Sequence, residues 1–309
     1  MAVVGISPRG KKQDGECGYL DTVVMTFKRL NFWKSVKCEF MMTLFYVLFG
    51  CGATSSVLVS QNTKDLDVAL MSQYAAALNA ALAFGLTAAI MLHCSLRLEG
   101  PVHLNPAVTV ALLCTRRVNV VTALFHIMAQ CLGALAGSGV LYGVTPARLH
   151  DHLGVTMVMG NTGRGQAFGF EFVSTFVLVF AYYSSCEPGT LRFKPLPIGL
   201  AISAGTLFSW QYTGASMNPA RSLGPAVVCN EWRDHWVYWI GPILGGMLGG
   251  ITYEYSHWSG PDTPGSSARR FSCPGATGMG LEHSGSKDSV EDTPTELTYT
   301  VNMADDPEV

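Results

Sequence analysis

Charge is what this chain has least of. Only 14% of its 309 residues are Asp, Glu, Lys or Arg, against roughly a quarter in an ordinary soluble domain. With 49% hydrophobic residues, that scarcity excludes a typical water-surrounded surface and points to lipid. A formal net charge of -2 offers no basic face, so no nucleic-acid partner is expected. The chain also lacks a glycine-rich phosphate loop, a zinc-ligand spacing and a nucleophile elbow. Enzymatic activity, cofactors and bound metal are therefore not expected. The first 35 residues hold Lys11, Lys12, Asp14, Glu16, Asp21, Lys28 and Arg29 without an apolar run. No cleavable signal peptide is expected, and the first span would direct insertion. The nine cysteines show neither clusters nor paired spacing and are read as thiols rather than a disulfide framework. Cys17 is read as unmodified, with palmitoylation as the alternative.

What is present is apolar and bunched. Runs long enough to cross about 30 Å of hydrocarbon lie at 36–59, 72–95, 117–142, 166–186, 195–211 and 236–256, so six transmembrane helices are expected. Two shorter apolar pieces remain, 105–114 and 218–228, each opening with Asn-Pro. A helix of about ten residues covers only some 15 Å, half a bilayer. These pieces are expected to be re-entrant half-helices. With the N-terminus cytoplasmic, most Lys and Arg, the Arg116-Arg117 pair among them, fall inside, against Lys64, Arg148, Arg164 and Arg233 outside. Both termini are therefore expected in the cytoplasm.

The expected organisation is a polar segment over 1–35, a channel domain over 36–256 and a disordered cytoplasmic tail over 257–309. The tail is too poor in apolar residues to fold alone. Within it, Arg269-Arg270-Phe271-Ser272 has the form of a basic-directed kinase site, with an unmodified Ser272 as the alternative.

The halves echo one another, the first repeat covering about 36–142 and the second about 166–256. Glu39 with Thr43 opens the first span and Glu171 with Thr175 opens the fourth. His103-Leu104-Asn105-Pro106-Ala107-Val108 answers Ser216-Met217-Asn218-Pro219-Ala220-Arg221. Three spans per half make the repeat inverted, so the half-helices must come from opposite faces and meet at their N-termini. Asn-Pro suits such a start, since Asn caps well and Pro is tolerated at the first helical position.

Asn105-Pro106-Ala107, Tyr212-Thr213-Gly214 leading into Asn218-Pro219-Ala220-Arg221-Ser222, and His235-Trp236-Val237-Tyr238-Trp239 before Gly241-Pro242 resemble the aquaporin, or major intrinsic protein, family. The likeness runs from about Phe32 to Tyr255 and is greatest with its animal water-channel branch, big brain-like proteins included. The resemblance implies an all-α membrane fold and a homotetramer with one pore per subunit, and a plasma-membrane location is expected.

Asn105 and Asn218 can each donate a side-chain N–H to a central water. Both half-helix dipoles put their positive ends there, the known barrier to protons and cations in channels of this type. Glu39 and Glu171 fit as acceptors for the N–H groups of the non-helical loops, which cannot stay unpaired in lipid. His103 is read as a loop-packing residue, because no second metal ligand stands at a useful spacing. Gly133 with Gly137, and Gly245 with Gly249, are expected to let helices pack closely. Arg221 has Val108 as its counterpart, so it is a charge added to one half.

The resemblance makes Arg221 part of an outer constriction with Phe84, Thr206 and Ala215. Strict water channels of the family usually carry His where Thr206 stands, so a wider filter is expected. Water comes first as the permeant. Glycerol, urea or hydrogen peroxide is the alternative, and a big brain-like adhesion or cation-conducting role is a second.

Overall fold

The computed structural model describes residues 26–55, 66–96, 102–147, 150, 153–186 and 194–256. The expected tail, Cys17 and Ser272 lie outside the described residues. Eight helices and no strand are found among the described residues: α1 (Leu30–Ser55), α2 (Leu66–Ser95), α3 (Pro106–Cys114), α4 (Val120–Val144), α5 (Arg164–Ser185), α6 (Pro195–Thr213), α7 (Pro219–Cys229) and α8 (Val237–Ser256). All six expected spans and both short pieces are there. By length and composition, four of them, in α1, α2, α4 and α5, are apolar enough to cross a membrane. α6 and α8 have 19 and 20 residues, about 30 Å of helix. Glycine dilutes the apolar character of α8, and Glu254 lies in its last turns.

α1 begins earlier than the apolar run suggests, at Leu30 rather than near residue 36. Lys34 looks like loop in a hydropathy reading, and Lys37 falls just inside the expected run. Their backbone is nevertheless helical, and Trp33 Nε1 anchors this end by donating to Phe27 O at 3.0 Å. Local chemistry explains the other boundaries. Asn119 caps α4 by accepting from Thr122 N at 2.8 Å, and Gly214 ends α6 in the left-handed conformation at φ 72°. Pro opens α3, α6 and α7, where its missing N–H costs nothing.

The packing follows the repeat. α1 lies against α4 and α5 against α8, while α2 packs on α6 across the halves. Each half-helix leans on the third span of the opposite half, α3 on α8 and α7 on α4. Glycine makes these seams tight. A Cβ at Gly133 or Gly137 would collide with the carbonyls of Phe40 or Leu44 on α1, and one at Gly245 or Gly249 with those of Phe172 or Phe176 on α5. Such close backbone approach is how helices gain contact where lipid removes the hydrophobic drive.

The distribution of side chains inverts that of a soluble protein. Leu78, Leu82, Leu86 and Ile90 form an outward stripe on α2, each about half exposed. Glu39, Asn105, Gln130, Glu171, Asn218 and Arg221 are all buried. Polar groups thus collect along the axis, where the two half-helices end.

Candidate functional site

α3 and α7 meet through their capping asparagines. Asn105 Oδ1 accepts from Ala107 N at 2.8 Å, and Asn218 Oδ1 accepts from Ala220 N at 3.0 Å and Arg221 N at 3.3 Å. Each side chain then reaches across the repeat. Asn105 Nδ2 donates to Met217 O and Asn218 Nδ2 to Leu104 O, both at 2.8 Å. An amide nitrogen carries two hydrogens, so this exchange uses one from each residue. Pro106, Ala107, Pro219 and Ala220 follow as the buried first turns of the half-helices.

The accepting carbonyls belong to residues in an unusual backbone conformation. Leu104 has φ 60° and Met217 φ 53°, with Ala215 at φ 52°. Non-glycine residues seldom adopt this region and do so where surrounding contacts hold them. The contacts are two buried carboxylates. Glu39 accepts from His103 N at 2.6 Å through Oε1 and from Leu104 N at 3.0 Å through Oε2. Glu171 accepts from Ser216 N at 2.9 Å and Thr213 Oγ1 at 2.7 Å through Oε1, and from Met217 N at 2.7 Å through Oε2. Both loops are therefore gripped at the same two positions before the asparagine.

Beside this meeting point lies a cavity whose lining includes Leu92, Tyr182, His103, Val108 and both asparagines. On the other side stands Arg221, 1% exposed. Its guanidinium carbon sits 4.6 Å from the centre of the Phe84 ring, within cation–π range. Arg221 Nη1 donates to Gly154 O at 2.5 Å, while its buried Nε has no hydrogen-bond partner among the described residues. Phe84 is thus joined directly to Arg221, and its ring packs on Gly50, where a Cβ would overlap it. Thr206 is buried in α6 and turns its hydroxyl to Ile202 O at 2.8 Å. Ala215 is buried in the loop before α7.

Several contributors carry no motif. Gly154 and Thr156 come from the segment between α4 and α5. Thr156 Oγ1 donates to Ser222 Oγ at 2.8 Å, and Ser222 Oγ stands 2.6 Å from Ser216 Oγ, tying this segment to α7. Gln130 on α4 donates through Nε2 to Glu39 Oε2 and Thr109 Oγ1, both at 3.0 Å. A lone Gln within an apolar span was the one available signal for it. His103 also has neighbours that spacing does not reveal, because α4 brings His126 beside it and Glu39.

Six long helices around two half-helices that meet N-terminus to N-terminus define an inverted-repeat membrane channel. The family model described as Major intrinsic protein matches residues 26–253, and the chain belongs to that family. It is 43% identical over 253 residues to Aquaporin-4 of Mus musculus, covering 78% of this chain and 74% of that protein. Aquaporin-4 of Homo sapiens gives the same identity and shares. The lens fiber major intrinsic protein of Lithobates pipiens is 43% identical over 232 residues, 74% of this chain and 83% of that protein. Among solved structures, the aquaglyceroporin from Plasmodium falciparum matches with a TM-score of 0.59 at 20% identity, over 72% of this chain and 96% of that one. That likeness concerns the fold alone.

Proposed function

We propose that the chain is a passive water channel driven by osmotic gradients. The observation that carries this reading is the reciprocal grip at the half-helix meeting point, where Asn105 and Asn218 each hold the other loop's carbonyl. The grip orients both amides and leaves each a second hydrogen for a water oxygen. A water donated to from both sides has no lone pair to spare for its neighbour, so a proton cannot pass along the file. The converging positive ends of α3 and α7, with the charge of Arg221, repel cations. The relatives named Aquaporin-4 support the same reading.

In this reading Phe84, Thr206, Ala215 and Arg221 form the outer constriction, and Glu39, Glu171 and His103 hold the loops. The Phe84–Arg221 contact supports the first assignment, and the carboxylate hydrogen bonds support the second. The protein would act as a homotetramer in the plasma membrane with both termini cytoplasmic. The apolar outer stripes fit neighbouring subunits and lipid.

One observation favours passage of small neutral solutes as well. Thr206 spends its hydroxyl on its own helix, so it adds neither bulk nor a free donor to the constriction. Proteoliposome shrinkage under osmotic challenge, with water, glycerol and urea compared, tests both readings. Fast, weakly temperature-dependent water flux without ionic current is expected. Water flux at the bare-lipid level would sink the proposal.

A further inference from the structure

Glu39, His103 and His126 stand in a triangle that the water path does not require. His103 Nδ1 lies 3.6 Å from Glu39 Oε1, His126 Nδ1 lies 3.4 Å from the same oxygen, and the two Nδ1 atoms are 3.5 Å apart. All three residues are buried. Ligand atoms held tetrahedrally at about 2.0–2.2 Å from zinc are separated by roughly 3.3–3.6 Å. The triangle therefore has the edge length of one face of such a site. We propose that Glu39 Oε1, His103 Nδ1 and His126 Nδ1 bind a divalent transition-metal ion of the Zn2+ class.

The surrounding hydrogen bonds prepare the ligands. Ser35 Oγ donates to Phe32 O at 2.8 Å, so it is left to accept from His126 Nε2 at 3.1 Å. That bond puts the His126 proton on Nε2 and points the lone pair of Nδ1 into the triangle, the second-shell arrangement of a metal-binding imidazole. Glu39 keeps its grip on the loop at the same time. A carboxylate oxygen has two lone pairs, so Oε1 can bind the ion while accepting from His103 N. Oε2 remains with Leu104 N and Gln130 Nε2. Thr109 Oγ1 donates to Asn105 O at 3.0 Å and so accepts from His103 Nδ1 at 3.0 Å; metal binding moves that proton to His103 Nε2 and frees the Nδ1 lone pair, and Thr109 keeps its own acceptor.

Charge favours an occupant. Among the described residues, the ion-pair partners of Glu39 are these two imidazoles, with no Lys or Arg beside it. Two nitrogen ligands out of three select zinc, nickel or copper over magnesium and calcium, which prefer oxygen. His103 borders the cavity beside the asparagines. An ion can arrive by that route, and a water can fill its fourth position. The other half offers no equivalent, since Glu171 is faced by the Thr213 hydroxyl and backbone N–H groups.

The competing occupant is a single proton shared between the rings, and metal titration distinguishes them. Full-length protein in detergent, stripped with EDTA, is dialysed against Zn2+ and its bound metal counted, alongside His126→Phe. We expect one ion per chain fewer in the variant. Ser35→Ala should keep the site with affinity weakened roughly 10–100-fold. Zinc-edge X-ray absorption of the protein loaded with one equivalent should show two imidazoles and oxygen at about 2.0–2.1 Å. Equal metal counts in wild type and His126→Phe, or sulfur scattering at about 2.3 Å, would overturn the proposal. If His126→Phe does not elute as a single species, His126→Gln takes its place with the same expected loss.

Discussion

The two loops that meet at the centre of this channel are built alike and furnished differently. In both, a buried glutamate accepts the N–H groups of the two residues before the asparagine, and the second of those residues is left-handed. Around that shared grip the halves diverge. The first is backed by Gln130, His103 and His126, and the second by Thr213, Ser216 and Ser222. Val108 lines the cavity where the second repeat has Arg221. The repeated part is what any re-entrant half-helix needs, namely partners for backbone that lipid cannot solvate. The unrepeated part is where selectivity and a metal site can differ between the two sides of the pore.

Removing the grips should give the largest effect. Glu171→Ala orphans Ser216 N and Met217 N, at about 1–3 kcal/mol for each buried donor, while the Thr213 hydroxyl keeps Ser209 O as an acceptor at 3.3 Å. Glu39→Ala should cost less, because Gln130, whose Nε2 donates to Glu39 Oε2 at 3.0 Å, can turn its amide over and present Oε1 to one stranded donor. Thermal unfolding of the two variants in detergent checks the order, and an equal loss would remove Gln130 as a reserve acceptor. Next comes Arg221→Val, which makes the second half resemble the first. Glycerol and urea permeation should rise about tenfold, equivalent to some 1.4 kcal/mol, with water flux retained. Unchanged solute flux would take Arg221 out of the constriction.

Thr206→His should act in the opposite direction and more weakly. About a fivefold fall in glycerol and urea flux is expected, near 1 kcal/mol, with water little altered. Solute flux in an active wild type that ignored the substitution would mean that Thr206 lies off the path. The smallest contrast separates two residues that look equivalent in sequence. Thr175 Oγ1 donates to Glu171 O at 2.7 Å, whereas Thr43 Oγ1 is buried with no hydrogen-bond partner among the described residues. Thr175→Val should cost about 1 kcal/mol, and Thr43→Val should be neutral or slightly stabilising. Matching shifts in melting temperature would show that the two positions are equivalent after all.

Most of the architecture was legible in the sequence because its causes are local. Apolar run length located the spans, and Asn-Pro located both half-helices to within a residue or so. The spacing of Gly133, Gly137, Gly245 and Gly249 marked the close seams. The site was legible in part. Glu39 and Glu171 stand out because a carboxylate in an apolar span needs a reason. The start of α1 lies ahead of its apolar run because Lys34 interrupts that run in the first turns of the helix. Gly154 and Thr156 gave no signal, since a loop carbonyl and a hydroxyl become functional groups only when the chain folds back onto Arg221 and Ser222.

By itself, then, the sequence determined that this is a membrane-embedded inverted repeat with two half-helices, since hydrophobic length and helix capping act over a few neighbouring residues. Only the tertiary structure decided that Asn105 and Asn218 would grasp each other's loops, that Phe84 would lie under Arg221, and that His126 would join His103 at Glu39. Those contacts join residues far apart along the chain. Packing of α1 on α4 and of α2 on α6 sets their distances, and no local pattern records it.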